Sequence, residues 1–235
     1  MNKILSIVIP VFNKYNFTKS CLNDLVKLPS DHEIIIIDNG SSDETQSSLE
    51  FSKEITYHRN KYNQGFAKAC NIGYSISQSS NVLFLNNDIR VKSNHSAWTQ
   101  ILIDHCNTSL VGPTMGQLDN EFNFIQEANH ILPGKSYMSG WCVASSKEIW
   151  KKLEIPCGPL SLNDYTVHQI FSEEFGLAYF EDTDLGFRAR KLNIPMKVVQ
   201  IPVVHFGQQT SKQLNTRQLY KTAREIFVKK WKNTK

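Results

Sequence analysis

The sequence predicts an α/β fold in which a mostly parallel central sheet is flanked by helices. Apolar, strand-like segments alternate with segments of helical periodicity from residue 4 to residue 85, in the order βαβαβαβ. The run at residues 33–38 is rich in isoleucine without polar alternation, which is typical of a strand buried on both faces of a parallel sheet. Polar loops follow Val11 and Asp38, and Asp88 closes a third strand. Because the carboxyl ends of parallel strands meet at one edge of a sheet, we expect these loops to surround a pocket.

The composition is that of a globular protein with one large domain. The 235 residues are 40% hydrophobic and 20% charged, which allows a substantial core and argues against disordered or fibrous classes. The apolar runs are shorter than the roughly 20 residues of a membrane-spanning helix. Ser6 and Pro10 interrupt the first apolar run, and no small-residue cleavage site follows, so we expect a first strand and no signal peptide.

The cysteines indicate a reducing compartment. Their number is odd and none has CxxC spacing: Cys21, Cys70, Cys106, Cys142 and Cys157. This pattern argues for free thiols in a cytoplasmic protein and against a zinc site.

Each element of the first half is predicted from its residue pattern. Phe17, Cys21 and Leu25 have helical spacing, and Asp43 can cap the helix that follows it. Small residues dominate the third helix, which could therefore pack closely on the sheet. The strands and helices are expected in alternation at residues 4–11, 15–28, 33–38, 44–51, 55–58, 67–76 and 81–85, with turns at 39–43 and 63–66.

The second half is less regular. A polar loop or hairpin is expected at residues 116–133 and a surface loop at 155–169. Asp184 and Arg188 are spaced for an ion pair within a helix that begins at Glu181. The other elements are expected as strands at 110–113, 138–144 and 196–201, the last of them leading to residues 203–207, and as a helix at 147–153.

The C-terminal segment, residues 212–235, predicts a basic amphipathic helix. It holds eight basic residues and one acid, and Leu219, Ala223, either Ile226 or Phe227, and Trp231 share one helical face. We favour a helix that covers the core with its basic face in solvent. The alternative is a contact with an anionic surface, either the inner face of a membrane or a nucleic acid.

Four separated motifs resemble the inverting family 2 glycosyltransferases of the GT-A fold, and within them the rhamnosyltransferase-like branch. The resemblance runs from about residue 5 to about residue 211 and extends to residues 63–67 (NQGFA) and to His205 with Gly207. The motifs are residues 6–13 (SIVIPVFN), 37–45 (IDNGSSDET), 85–88 (LNND) and 180–185 (FEDTDL).

The resemblance implies a single GT-A domain over residues 1–211, with a Rossmann-like, mostly parallel sheet. Its nucleotide-binding half would end near residue 110, and an acceptor and catalytic half would follow at 111–211. A UDP-sugar or dTDP-sugar is the expected donor. The residues implied to bind it are Pro10, Val11, Phe12, Asn13, Asp38, Asn39, Asn63, Gly65, Asn86 and Asn87.

The resemblance also implies a metal site and a catalytic pair. Asp88 and His205 would bind Mn²⁺ or Mg²⁺, which can neutralise charge that develops on the leaving diphosphate. Asp182 matches the family's general base, with Glu181 beside it and Trp141 near the acceptor. The acceptor would be a glycan, a lipid-linked sugar or another hydroxyl compound. The chain departs from a strict DxD motif, because asparagines stand at 86 and 87.

Simpler interpretations compete for single residues. Asp88 and Asp182 could act as a turn residue and a helix cap, and Asp38 could start an Asx-turn. His205 could be a buried, hydrogen-bonded histidine, and Trp141 could belong partly to the core.

Three functions therefore compete at the level of the sequence. The first is a metal-dependent transferase, and the second is a non-catalytic nucleotide-sugar or carbohydrate binding protein of the same fold. A dinucleotide-dependent oxidoreductase is less favoured, because no GxGxxG follows the first strand and no P-loop is present.

Overall fold

A computed structural model describes residues 3–92, 97–156, 161–162, 165–166, 168–207 and 216–232. Its first half contains the predicted alternation of strands and helices. These elements are β1 (Leu5–Val11), α1 (Tyr15–Leu25), β2 (His32–Asp38), α2 (Thr45–Leu49), β3 (Thr56–Arg59), α3 (Phe66–Ile76) and β4 (Asn81–Leu85).

The second half adds elements that the sequence pattern showed less clearly. In chain order they are β5 (Ile89–Val91), α4 (Trp98–Cys106), β6 (Leu110–Gly112), β7 (Met115–Leu118), β8 (Phe124–Ala128), β9 (Lys135–Met138), β10 (Cys142–Ser146), α5 (Lys147–Lys152), β11 (Ser161–Leu162), β12 (Tyr165–Thr166), α6 (Glu181–Lys191), β13 (Met196–Val198), β14 (Val203–His205) and α7 (Thr216–Trp231).

The described residues form a seven-stranded sheet in the order β13-β6-β10-β4-β1-β2-β3. Strand β1 pairs in parallel with β2 and β4, with Val8 beside Ile35 and Phe84. Strand β10 is antiparallel to both of its neighbours, β4 and β6, and the other pairs are parallel. The prediction of an α/β fold with a mostly parallel sheet and flanking helices is confirmed.

The core occupies both faces of this sheet, because successive strand side chains point to opposite sides. Val8 and Phe84 face α3, α5 and α6, where they pack with Cys70 and Trp150. Ile7 and its neighbours on that side face α1 and α4. This two-sided burial explains the uninterrupted isoleucine run in β2.

Two strand predictions were wrong in their boundaries. The single strand expected at 138–144 is two strands, β9 and β10, separated by a turn, and they belong to different sheets. The strand expected at 196–201 ends at Val198, and β14 pairs instead with β5 in a small antiparallel sheet. A turn at residues 140–141 interrupts the first segment, and residues 199–202 of the second lie outside any strand, although hydropathy alone continues through both.

Residues 116–133 form the hairpin that was one of the two expectations. Strands β8, β7 and β9 make a three-stranded antiparallel sheet. The expected surface loop at 155–169 includes the pairing of β11 with β12 and a bridge between Ile155 and Gln169. Helix α4 and strand β5 had not been predicted.

The four described cysteines are free and buried, as expected, and Cys157 lies outside the described residues. Among the described residues, none of the helices is both long and apolar enough to span a bilayer.

Helix α7 packs on the protein through its apolar face. Ala223 and Phe227 are fully buried in a third cluster together with Phe122, Phe175 and Phe180. The predicted amphipathic helix is therefore present over 216–231, and the rest of 212–235 lies outside the described residues, apart from Lys232.

Candidate active site

A cavity of about 690 Å³ opens at the carboxyl edge of the sheet. It collects most of the residues that the sequence singled out, from both halves of the chain. The expected site residues that line it are Pro10, Val11, Phe12, Asn39, Asn63, Asn86, Asn87, Asp88, Trp141, Glu181, Asp182 and His205.

Asn13, Asp38 and Gly65 do not line this cavity and lie behind its wall. Asp38 is fully buried, and its carboxylate accepts hydrogen bonds from the Ser41 N–H at 2.8 Å and the Tyr57 hydroxyl at 2.6 Å. It also forms an ion pair with Arg59. Asp38 therefore holds the loop after β2 in place, and the Asx-turn interpretation describes part of its role.

The neighbouring loops are tied to one another by side-chain amides. The Asn13 Oδ1 accepts a hydrogen bond from the Ser42 N–H at 2.7 Å. The Asn39 Nδ2 donates to the Gly65 carbonyl at 3.0 Å. Gly65 has φ of 91°, and a Cβ there would lie 2.5 Å from the Gly176 carbonyl oxygen, so glycine is needed for this close approach.

Asp88 and His205 meet because β5 pairs with β14. Asp88 directly precedes β5, and His205 ends β14 opposite Ile89. The Phe206 N–H donates to the Asp88 carbonyl at 2.9 Å, and the His205 Nε2 lies 3.0 Å from the Asp88 Oδ1. Both side chains are largely buried.

The Asp88 Oδ1 is buried and has no hydrogen-bond partner among the described residues, although His205 is in contact. The His205 Nε2 also lies 3.2 Å from the Asn86 Nδ2. The roles in these contacts depend on the imidazole tautomer: an Nε2 without a proton would accept from Asn86 and present a lone pair beside Asp88.

This pair has the chemistry and spacing of two metal ligands. Two adjacent ligands of an octahedral ion with bonds of about 2.1 Å lie about 3.0 Å apart, the separation of the Asp88 and His205 atoms. No group of three or more His, Cys, Asp or Glu side chains suited to a metal occurs in the described ranges. The residues therefore fit an ion that takes its remaining ligands from substrate and water.

The other asparagine of the motif faces inward. Asn87 is buried, and its Nδ2 donates to the Thr18 hydroxyl at 2.9 Å, which fixes the turn against α1. The Asn86 N–H donates to the Trp141 carbonyl at 2.8 Å. This bond links the end of β4 to the loop before β10.

Trp141 forms a wall of the cavity against the histidine. Its ring stacks on that of His205, with centroids 4.7 Å apart and planes 11° apart. Its Nε1 donates to the Thr114 hydroxyl and to the Glu127 carboxylate, each at 2.9 Å. The hydrogen bonds at Nε1 and the stacking contact together fix the position of the indole, which orients His205.

Asp182 lies in the first turn of α6 and faces the same loop. Its Oδ2 accepts from the Gly140 N–H at 2.9 Å, and its Oδ1 accepts from the Thr183 N–H at 2.7 Å. A Cβ at residue 140 would lie 2.9 Å from the Asp182 Cβ, so this approach needs glycine. Burial raises the pKa of Asp182, and these hydrogen bonds act in the opposite direction.

Glu181 is the second carboxyl group at this helix end. Burial, with the neighbouring Asp182 charge as a smaller cause, raises the pKa of Glu181 to about 8. Its Oε2 is buried without a hydrogen-bond partner in the described part of the chain. A protonated Glu181 beside an ionised Asp182 is the arrangement that two adjacent buried carboxyls favour.

The two residues before the pair have unusual backbone angles. Tyr179 and Phe180 have φ of 78° and 69°, a left-handed region that bulky side chains rarely adopt. The Phe180 ring is buried against Phe227 and Tyr220, with centroid separations of 5.0 and 5.3 Å. Packing by α7 therefore stabilises the strained backbone that leads into α6.

The expected ion pair of α6 is present. The Arg188 Nε donates to Asp184 at 2.8 Å, and Arg188 also donates to the Leu153 and Ile170 carbonyls. Asp184 accepts as well from Trp231 at 2.9 Å and pairs with Lys230. These contacts fix α6 to its surroundings and to α7.

Several cavity residues had not been predicted. They come from the β7–β8 hairpin, β9 and α7, which fold over the opening. They include Leu118, Phe124, Glu127, Tyr137, Arg217 and Tyr220. Residues 116–133 had been expected as a polar loop or hairpin, without individual cavity residues, and the face of α7 toward a cavity has no local sequence signal.

Comparison with known proteins supports these observations. Residues 6–155 match the family described as Glycosyl transferase family 2. An uncharacterized glycosyltransferase of Rickettsia prowazekii is 26% identical over 243 residues, covering 97% of this chain and 72% of the relative. One of Haemophilus influenzae is 33% identical over 86 residues, covering 36% of this chain and 29% of the relative.

Among solved structures, a mannosyltransferase from Pyrobaculum calidifontis in complex with GDP-Man and Mn²⁺ superposes with a TM-score of 0.58 at 12% identity. The match covers 85% of this chain and 55% of that chain. This likeness shows the fold, which is the GT-A fold implied by the sequence motifs. With the family match over residues 6–155, it follows that the chain belongs to glycosyl transferase family 2.

Proposed function

We propose that the protein transfers a sugar from a nucleoside-diphosphate sugar to an acceptor hydroxyl with inversion, with Asp182 as the general base. One observation carries the proposal: residues 140 and 141 connect the base and the metal pair within one cavity. The Gly140 N–H binds Asp182 at 2.9 Å, and the next residue, Trp141, stacks on His205. A base and a leaving-group site are thereby held at a fixed separation, as an in-line displacement requires.

In the proposed reaction, Asp182 accepts the proton of the acceptor hydroxyl as its oxygen attacks the anomeric carbon. The bond between that carbon and the diphosphate oxygen breaks, and the nucleoside diphosphate leaves with the bonding electron pair. Hydrogen bonds from Gly140 and Thr183 aim the carboxylate and favour its ionised form, against the effect of burial. Glu181 would retain its proton at neutral pH and so leave Asp182 as the single charge.

Mn²⁺ or Mg²⁺, bound by Asp88 and His205, would neutralise charge on the departing diphosphate. The asparagine-containing motif fits this role, because the protein need supply only two ligands when substrate phosphates supply others. Asn86 would keep the His205 Nε2 free of a proton and available for binding.

The base and ribose of the donor would lie along the ends of β1, β2 and β3. Pro10, Val11, Phe12, Asn39 and Asn63 line this part of the cavity and would contact the base and ribose. The residues behind the wall, Asn13, Asp38 and Gly65, would position these loops. The proposed donor is a UDP-sugar or a dTDP-sugar, and the proposed transferred group is a hexosyl or deoxyhexosyl group.

The two halves of the chain would have different roles in this reaction. Residues 1–110 would bind the nucleotide, and residues 111–211 would supply the base and the acceptor wall, including Trp141. The acceptor would be a glycan, a lipid-linked sugar or another hydroxyl compound, which fits a role in polysaccharide biosynthesis. The proposed location of the protein is the cytoplasm or the inner face of a membrane.

The test is a thermal-shift screen of nucleotides and nucleotide sugars with and without Mn²⁺, followed by donor turnover. A ligand that binds only the folded state raises the melting temperature. We expect a nucleoside diphosphate to stabilise the protein and Mn²⁺ to increase the shift. Asp182→Asn should bind the donor normally and lose turnover by about 100-fold to 10,000-fold. A wild-type protein that binds donor but never transfers or hydrolyses it would favour the non-catalytic alternative.

A further inference from the structure

The cavity has a cationic residue that the proposed reaction does not use. Arg217, in the first turn of α7, lines the cavity and is exposed. Within the described ranges it forms no hydrogen bond or ion pair. The acidic side chains that line the same cavity are Asp88, Glu127, Asp182 and the protonated Glu181, so the charged group of an anionic acceptor would meet no other free cationic side chain among the described lining residues.

Arg217 shares a helix face with an aromatic residue. Tyr220 follows it by three residues and therefore lies on the same side of α7. The Tyr220 ring contacts that of Tyr179, with centroids 5.7 Å apart, and its hydroxyl accepts from the Phe124 N–H at 3.4 Å. These rings all line the cavity, and Phe124 is half exposed. Exposed ring faces with polar edges suit the apolar face of a sugar.

These residues lie on the side of the catalytic carboxyls. The Tyr220 ring also packs on Phe180, with centroids 5.3 Å apart, and Phe180 directly precedes Glu181 and Asp182. The residues proposed for the base and ribose instead follow β1, β2 and β3. A ligand against Arg217 and Tyr220 would therefore approach Asp182 from the acceptor side.

We propose that Arg217, Tyr220 and Phe124 form an acceptor subsite for a sugar that carries a negatively charged group. The ring faces would hold the sugar, and the guanidinium would bind a carboxylate or phosphate in a bidentate manner. The charge would also orient the acceptor, because the remaining charged cavity wall is acidic. This inference rests on the proposed transferase function.

The experiment compares three sugars by calorimetry or ligand-observed NMR, using the full chain with saturating UDP and Mn²⁺. The probes are glucuronic acid, glucose 6-phosphate and glucose, so that carboxylate and phosphate are distinguished. We expect at least one charged sugar to bind roughly tenfold tighter than glucose, as a charge-assisted bidentate contact allows. Arg217→Ala should remove that preference, and Arg217→Lys should keep part of it.

Lys221→Ala is the matched control, because Lys221 is exposed one turn further along α7 and does not line the cavity. It should behave as the wild type. The proposal is overturned if the wild type shows no preference for a charged sugar, or if Arg217→Ala keeps the preference. A loss of UDP affinity in Arg217→Ala, equal to its loss of sugar affinity, would also overturn it by assigning Arg217 to the donor diphosphate.

Failure of the transferase function would look different. A protein without that function would neither transfer nor hydrolyse any donor, whether or not it binds one, and the sugar comparison could still be made without UDP. If only the inference fails, donor hydrolysis persists in the wild type and in Arg217→Ala while the charged and neutral sugars remain equivalent.

Discussion

The backbone N–H of Gly140 donates a hydrogen bond of 2.9 Å to the Asp182 Oδ2, and no side chain separates the two residues. A Cβ at position 140 would lie 2.9 Å from the Asp182 Cβ, so any larger residue must displace the carboxylate. The loop before β10 therefore determines where the proposed base lies. Because Trp141 is the next residue, a shift of this loop would also move the ring that packs on His205.

The first prediction concerns this contact. Gly140→Ala should lower turnover by about 100-fold, because a displacement of the base by about 1 Å has an effect of that order. Donor binding, measured by thermal shift, should remain close to that of the wild type. Gly134→Ala is the control: Gly134 has φ of 67° with open space around it, so alanine should cost roughly 1–2 kcal/mol of stability. Its turnover should not change, and equal turnover losses in both variants would contradict the prediction.

The second prediction concerns the metal pair. Asp88→Asn and His205→Ala should each weaken Mn²⁺ binding by roughly tenfold or more, because each removes one of only two protein ligands. The measurement is a Mn²⁺ titration of the UDP-induced thermal shift. Asp104→Asn, at an exposed position in α4, is the charge-matched control. Wild-type Mn²⁺ dependence in Asp88→Asn would return residues 86–88 to the role of a turn.

The third prediction is a pH dependence of stability caused by Glu181. Its pKa is raised to about 8 in the folded protein, compared with about 4.3 in an unfolded chain. The folded state therefore binds more protons between these values, and the free energy of unfolding should fall as pH rises from about 4.3 through about 8. Above that range the loss should be on the order of a few kcal/mol.

Urea denaturation at pH 5, 7 and 9 measures this effect. Glu181→Gln should flatten the decline, because an amide does not titrate. Glu54→Gln, at an exposed position, should follow the wild type. If Glu181→Gln and the wild type show parallel pH profiles, Glu181 does not carry the proton.

The sequence predicted the donor edge of the site better than its acceptor side. Strand ends such as Asp38 and Asp88 follow continuous apolar runs, so their position at one sheet edge could be read from local patterns. The acceptor wall depends on the β7–β8 hairpin and on α7, which meet only in the folded chain. Phe124 and Tyr220 have no periodicity that indicates a cavity, and their contact spans 96 residues.

One wrong strand prediction has a local cause. The segment 138–144 was predicted as one strand, because Gly140 separates two apolar stretches without an obvious polar break. The turn at Gly140 brings Asp182 and Trp141 together. The contacts of Asp38 with Tyr57 and Arg59 could not be read from the run that precedes it, because both partners come from the neighbouring strand β3. Its expected place in the donor site stays a prediction.

The fourth prediction concerns the packing of α7. Phe227 is fully buried and contacts Phe122, Phe175 and Phe180. Phe227→Ala should lower the free energy of unfolding by about 3–5 kcal/mol. Turnover should also fall at temperatures where the protein stays folded, because Phe180 loses the support that holds its left-handed backbone before Glu181. Phe51→Ala, at a position 85% exposed, should leave both quantities unchanged. Normal turnover in folded Phe227→Ala would mean that Phe180 needs no such support.

The fifth prediction separates the two interpretations of the basic C-terminal helix. Its apolar face is buried, and within the described part of the C-terminal segment the exposed basic residues available for an anionic surface are Arg217 and the lysines Lys221, Lys229 and Lys232. If they bind anionic vesicles or DNA, replacing the three lysines by glutamine should weaken vesicle binding by roughly 3 kcal/mol, since each lysine near such a surface contributes about 1 kcal/mol. Replacing Lys53, Lys61 and Lys152, which are exposed elsewhere, should have no such effect. We expect the covering role to dominate, in which case co-sedimentation shows little salt-sensitive binding of any variant. Strong wild-type binding that only the α7 variant loses would instead establish the surface contact.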